Sequence, residues 1–243
     1  MMVTPDLLGV FPILKPLPKV VLTHIAATSE LKKFSRRGVV LSAGEKEDAV
    51  CFLFEGRLQG LGFTIDGREV GLYFVEPGDF CGELALFDRE PQSEFVIALT
   101  AAVVIFVPIK ELQEVMLKSP EVMNMLGSKM ASRVRQMVFQ RSLLGLPNIG
   151  QRVCCQLWML ITERDKAKIV SESGKKLIQK PAEIHNPPTH MEIAIMLNVS
   201  RETVTRVFQT LQNRQIVRRD GSAKLLVMNP KELQQFAEGT HEL

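Results

Sequence analysis

The sequence predicts an α+β chain: a rolled antiparallel sheet, one long helix, then a smaller helical domain closed by a hairpin. Three observations predict it. Four turn glycines, Gly44, Gly56, Gly67 and Gly78, recur at spacings of 12, 11 and 11 through a stretch rich in Val, Ile and Phe. A seam of Met123, Met130, Val134, Met137, Arg141 and Leu144 recurs mostly at three- and four-residue steps. Two short helical patterns, each opened by a capping hydroxyl, flank the tetrapeptide "LNVS".

The glycine-punctuated stretch covers residues 38–110. Its segments "VVLSAG", "AVCFLFEG", "RLQGLGFTIDG", "REVGLYFVEPG" and "FVIALTAAVVIFVPI" read as strands, because β-branched and aromatic residues suit a half-buried pleated surface. The "DG" and "PGD" turns between them favour antiparallel hairpins rolled into a barrel or sandwich. A metal-dependent barrel enzyme would need His and carboxylate ligands inside the roll. The four histidines, His24, His185, His190 and His241, all lie outside the strand region, so no metal site and no catalysis are expected. A roll that binds a small ligand through backbone amides fits better. Residues 78–94, "GDFCGELALFDREPQSE", suit that use. Gly82 lets backbone approach closely, and Glu83, Leu84 and Ala85 can follow as a helical turn whose free amides suit an anion or a ribose.

From Pro120 to Leu144 the seam has the near-3.5-residue period of a coiled coil, interrupted by Gly127 and Arg141. A helix of that length spans about 37 Å, which suits a dimer interface. "GLPNIG" at 145–150 ends it, and Asn148 is placed to cap the next helix, expected over 150–165. Residues 163–176 read as a polar loop and "KLIQK" as a short strand. Thr189 then caps "HMEIAIML", Asn198 supplies a residue tolerant of left-handed backbone, and Ser200 caps a helix over 200–214. A short helix, a tight turn and a second helix make a helix-turn-helix. "IVRRDGSAKLLVMNP" adds a hairpin wing, where Lys224, Arg218 and Arg219 suit phosphates. On the second helix, Arg201, Glu202, Thr205 and Arg206 share one face, opposite Val204, Val207, Phe208 and Leu211. Arginine donates two hydrogen bonds to guanine and glutamate accepts one from cytosine, so this face suits a major groove.

Charge agrees. Residues 1–145 carry 16 basic against 17 acidic groups, while residues 146–243 carry 14 against 10, placing an anionic partner at the C-terminal part. Cys51, Cys81, Cys154 and Cys155 have no metal spacing and read as reduced thiols of a cytoplasmic protein. No signal pattern and no apolar run of about 18 residues is present, so no membrane span is expected.

"SRETVTR", "AGEKEDAVCFLFEG" and "PGDFCGELALF", in this order with the long helix between, resemble the cyclic-AMP receptor protein/FNR family of bacterial transcription regulators over essentially the whole chain. The resemblance implies a cyclic-nucleotide-binding β-roll (a jelly-roll-like double-stranded β-helix) over 1–119, a dimerisation helix over 120–145, a hinge at 146–149 and a winged helix-turn-helix over 150–243. It implies a homodimer reading a TGTGA-like palindrome in double-stranded DNA with Arg201, Glu202 and Arg206. It also implies contact with RNA polymerase through residues 163–176.

The ligand site departs from the family's cyclic-AMP pattern. The Arg-Ser pair that clamps the cyclic phosphate there falls on Ser93 and Glu94 here. Like charges 4 Å apart cost about 4 kcal/mol at an effective dielectric of 20, so Glu94 opposes a phosphate. The Thr-Ser pair that reads adenine falls on Met137 and Val138. The iron–sulfur branch is not expected, since residues 1–50 hold no cysteine. Some relatives lacking the clamp respond to cyclic di-GMP, and Glu94 can accept from the guanine edge. Arg57, Arg68, Arg89, Arg133 and Arg135 are the arginines available to stack on guanine or pair with phosphate. Cyclic di-GMP therefore leads as effector. Cyclic AMP in a non-standard pose, or a regulator that needs no ligand, are the alternatives.

Overall fold

The computed structural model describes residues 2–162, 165–166, 181–221 and 223–243. The chain separates into two compact units, Met1–Val138 and Phe139–Leu243, so the boundary falls inside the long helix.

The first unit is built on two four-stranded antiparallel sheets. One has β1 (Glu30–Phe34), β8 (Ala102–Pro108), β3 (Ala49–Glu55) and β6 (Phe80–Cys81) in that order. The other has β2 (Val39–Leu41), β7 (Phe95–Ala98), β4 (Leu58–Phe63) and β5 (Glu69–Val75). Both contribute to one core containing Leu41, Cys51, Leu53, Leu58, Tyr73, Val96 and Val104. The strand period of two explains why "AVCFLF" is apolar throughout. Cys51 and Leu53 enter that core, while Val50 and Phe52 enter a second one on the opposite face. Helices α1 (Pro5–Leu8), α2 (Lys19–Thr28) and α3 (Ile109–Lys118) line the second core with Leu8, Leu22, Ile25, Leu112 and Val115. The four turn glycines all have positive φ, as their hairpins require.

Five elements here escaped the sequence reading, β1, the two-residue strand β6 and the helices α1 to α3. β1 reads "ELKKF", mostly charged, because it is an edge strand paired only with β8 among the described strands; lysines there discourage further pairing. The three helices α1 to α3 lie outside the glycine-punctuated stretch or at its end, where short patterns give little periodicity to read.

Helix α4 runs Pro120–Leu144, and Met123, Val134, Met137 and Val138 along it are exposed apolar side chains. The second unit starts within it. Helix α5 (Ile149–Leu160) is capped by Asn148, whose side chain accepts from the Gln151 amide at 3.1 Å. It stops at Leu160 rather than 165, because Ile161 turns to extended backbone and is buried in the core. Helices α6 (His190–Leu197) and α7 (Arg201–Asn213) follow, with a three-stranded sheet ordered β10 (Val217–Asp220), β11 (Lys224–Val227), β9 (Ala182–His185). Strand β9 and the last helix, α8 (Pro230–Glu238), were not read from sequence. α8 packs on α5, placing Leu233 and Phe236 in a core with Val153, Leu157, Phe208 and Leu211. "KLIQK", and residues 163–176 apart from 165 and 166, lie outside the described residues.

All four cysteines are buried and unbridged. Among the described residues, no helix is long and apolar enough to cross a membrane, and no three His, Cys, Asp or Glu side chains are placed to hold a metal ion.

Candidate effector pocket and nucleic-acid interface

Gly82 sits in left-handed backbone at φ 80° and opens a 3-10 helix, Glu83–Leu86, which no side chain caps. The turn points Leu84 outward and buries Glu83 and Ala85. A burial this complete is costly for a carboxylate unless it is paired. Arg133, from α4, supplies the pair: it meets Glu83 Oε1 and donates to the carbonyl of Phe80. Its guanidinium also lies over the ring of Tyr73, 4.4 Å from the centroid. Burial pushes the Glu83 carboxyl above its usual value, against the pull of Arg133. Burial also works against the Arg133 charge, yet the Glu83 carboxylate beside it holds the guanidinium protonated.

Tyr73 extends the network. Its hydroxyl donates to Glu94 Oε1 at 2.6 Å, and Ser93 Oγ meets Glu94 Oε2. Burial, then Cys81 and Glu94, push the phenol well above its usual range, so it stays a donor. Gly60, opposite Tyr73 on β4, makes room for the ring: a Cβ there would stand 2.7 Å from ring atoms. Among the described residues five buried side-chain polar atoms have no partner, both of Gln59, Gln140 Oε1, and the two nearest the Gly82 turn, Glu83 Oε2 and Gln92 Nε2. Gln92 Nε2 lies beside Gly82, 3.4 Å from where a Cβ would be. The Gly82 turn therefore keeps one acceptor, Glu83 Oε2, and one donor, Gln92 Nε2, without partners. Orphaned buried groups of this kind mark a ligand position or ordered water.

Ser93, Glu94, Glu83 and Arg133 are thus brought together. The other arginines are not. Arg57 pairs with Glu76 and lies over Phe74, and Arg68 pairs with Asp66 at an exposed hairpin tip. Arg89 donates to Gln113 at 3.3 Å and, with Lys46, Lys110, Glu47 and the turn residue Ala85, lines a cleft of about 540 Å³ that contains neither Arg133 nor Glu94. Arg135 is exposed on α4, as are Met137 and Val138. Tyr73 and Gln92 were missed: "VGLYFVEPG" offers only an apolar strand pattern around the first, and the second is an unmarked polar residue of the turn "REPQSE".

In the second unit, Thr189 and Glu192 form a reciprocal capping box at the start of α6. Asn198 takes φ 52°, turning the chain into Ser200, which accepts from the Thr203 amide at 3.2 Å and opens α7. Val204, Phe208 and Leu211 are buried, which sends Arg201, Glu202 and Arg206 to the exposed face. Arg206 makes one long contact, 3.4 Å to Thr203 Oγ1. The first-turn amide of Glu202 itself, with Ser200, holds the Glu202 carboxyl below its usual value, so the anion is retained at a helix N-terminus. Thr205 is already engaged: its hydroxyl donates to the Arg201 carbonyl at 2.9 Å and lies 3.0 Å from His190 Nδ1. With the hydroxyl proton committed, Nδ1–H donates to Thr205. Lys224, expected at phosphates, binds Glu183 at 3.1 Å across the wing, whereas Arg218 and Arg219 are exposed.

A cyclic nucleotide-binding domain model matches residues 31–119, and a Crp-like helix-turn-helix domain model matches residues 151–236. The chain belongs to the cyclic-AMP receptor protein/FNR family. It is 26% identical over 209 residues to the cAMP-activated global transcriptional regulator Vfr of Pseudomonas aeruginosa (84% of this chain, 92% of Vfr). Among solved structures, a CooA variant from Carboxydothermus hydrogenoformans aligns with TM-score 0.71 at 16% identity, covering 94% and 95% of the two chains. CLP of Xanthomonas campestris, described as a c-di-GMP responsive global regulator, aligns with TM-score 0.63 at 19% identity, covering 86% and 96%. As a family member the chain is a DNA-binding transcription regulator with a cyclic nucleotide-binding domain.

Proposed function

We propose that the chain is a homodimeric regulator of a TGTGA-like palindrome, gated by cyclic di-GMP at the β-roll. The observation that carries the effector reading is the buried carboxylate of Glu94, met by the exposed Ser93 and linked through Tyr73 to Arg133. A carboxylate stands where a cyclic phosphate would need a cation, and a carboxylate is the natural partner of a guanine N1–H and N2–H₂ edge. The c-di-GMP responsiveness described for CLP supports the same choice. For DNA, Arg201, Glu202 and Arg206 stand exposed at the start of α7, where base edges are read first. Thr189 and Ser200 hold the two helices by their caps, and Arg218 and Arg219 on the wing meet phosphates. The apolar side chains Met123, Val134, Met137 and Val138 on α4 form the dimer seam. RNA polymerase is the further partner. The effector changes DNA affinity only as far as it binds the two arrangements of the dimer differently.

Isothermal titration of the full chain with cyclic AMP, cyclic GMP and cyclic di-GMP, with and without the palindrome, tests this. Cyclic di-GMP binding that changes when DNA is present is the expected result. Tight cyclic AMP binding in its place would overturn the effector assignment and leave the DNA reading intact.

A further inference from the structure

We propose that Tyr73 is a built-in surrogate for the effector's base: its ring and hydroxyl fill the subsite that a guanine ring takes, and the effector enters by displacing it. The proposal rests on the guanine-nucleotide reading above and deepens it to a residue.

Three observations converge on the ring. Its face lies on the Arg133 guanidinium at 4.4 Å. Its edge donates to Glu94 Oε1 at 2.6 Å. It is seated over a glycine, Gly60, whose Cβ would collide with it at 2.7 Å. A flat ring stacked on a guanidinium with a donor aimed into a carboxylate is also the way a protein holds guanine. Guanine offers two adjacent donors at that edge where the phenol offers one. Adenine turns its N1 acceptor toward the carboxylate, so it reproduces the stack but sets a lone pair against Glu94. Exchanging one neutral ring for another leaves the Arg133–Glu83 pair undisturbed. Glu83 Oε2 and Gln92 Nε2 then remain as unused acceptor and donor for the rest of the ligand.

Occupation by Tyr73 lowers apparent affinity by the fraction of molecules in which the ring has left. A site about one-tenth open binds about tenfold more weakly than an open one. Tyr73→Ala should therefore bind cyclic di-GMP about tenfold more tightly than wild type, with a smaller gain for cyclic AMP. The vacated space should also accept 4-methylphenol, read as a rise in Tm of the variant. Toluene, of the same shape without the hydroxyl, should raise it less. Wild type should respond to neither. Tyr73 is the one tyrosine in the sequence, so ring-¹³C-tyrosine labelling gives a single signal, expected to move in step with cyclic di-GMP saturation.

A tyrosine signal unmoved at saturating cyclic di-GMP would overturn the proposal. So would a Tyr73→Ala protein that treats 4-methylphenol and toluene alike. A variant that takes 4-methylphenol but no cyclic di-GMP would uphold the subsite and overturn its assignment to guanine. If Tyr73→Ala does not fold, Gly60→Ala serves: its added methyl unseats the ring, so the tyrosine signal should already be shifted without ligand and cyclic di-GMP binding tightened. Wild-type signal and wild-type affinity in Gly60→Ala would count against the surrogate.

Discussion

The interior of the β-roll and the exposed face of α7 treat the same side chains in opposite ways. In the roll, buried Glu83 and half-buried Arg133 are paired with each other, and Tyr73 lies against the guanidinium. On α7, Arg201, Glu202 and Arg206 are exposed, and Arg206 reaches only a neighbouring threonine at 3.4 Å. The difference follows from what each must meet. A buried charge must carry its partner with it, so the roll arrives with its own. A groove-reading arginine gains from being unpaired, because its five donors are then free for base edges and phosphates. On the reading proposed above, the roll would bind by exchange of partners and α7 by addition of them.

The largest effect expected from breaking this contrast is in the roll. Arg133→Ala leaves Glu83 buried without its cation and should cost about 3–5 kcal/mol of unfolding free energy, measured in urea. Arg133→Ala combined with Glu83→Gln should recover part of it. On α7 the corresponding change should leave stability nearly untouched. Arg201→Ala should instead cost about 1–3 kcal/mol of binding to the palindrome and flatten preference at one base pair. An equal loss on random DNA would contradict base reading. Smaller again is the frame that presents α7: Thr189→Ala removes half of the capping box and should cost about 1 kcal/mol of stability by thermal unfolding.

The smallest effect is a tilt with pH. The folded-state pKa of Glu83 is raised by burial, so between its unfolded value near 4.5 and the raised one the folded chain holds the extra proton. That contribution is fully present below the unfolded pKa and is lost as pH rises through the folded one. Stability of Glu83→Gln, followed by denaturant titration across that window, should lack this component of the slope. Exposed Glu202, whose carboxyl is held low, tilts the other way: its contribution is present above its unfolded pKa and lost as pH falls through the lowered one.

How legible each region was in the sequence follows from the same contrast. The caps Asn148, Thr189 and Ser200, the left-handed Asn198 and the exposed arginines of α7 are set within three or four residues of chain, so local chemistry announces them. The β-roll network joins residues 21 apart, Tyr73 with Glu94, and 50 apart, Glu83 with Arg133. Nothing in "GLYF" or "ASRVRQ" distinguishes the tyrosine and the arginine that meet from Phe74 and Arg135, which do not join them. Register and sheet closure decide that. The edge strand β1 was hidden for the converse reason: its lysines read as surface, and they are, but on a strand.

The most direct test of the account is the affinity of the full chain for a fluorescent TGTGA-type palindrome, titrated with and without saturating cyclic di-GMP and compared with a scrambled duplex. The account predicts that the palindrome is preferred and that cyclic di-GMP changes its affinity while leaving the scrambled duplex nearly unaffected. Equal affinity for the two duplexes would contradict sequence reading by α7. A palindrome preference identical with and without the nucleotide would contradict gating through the β-roll.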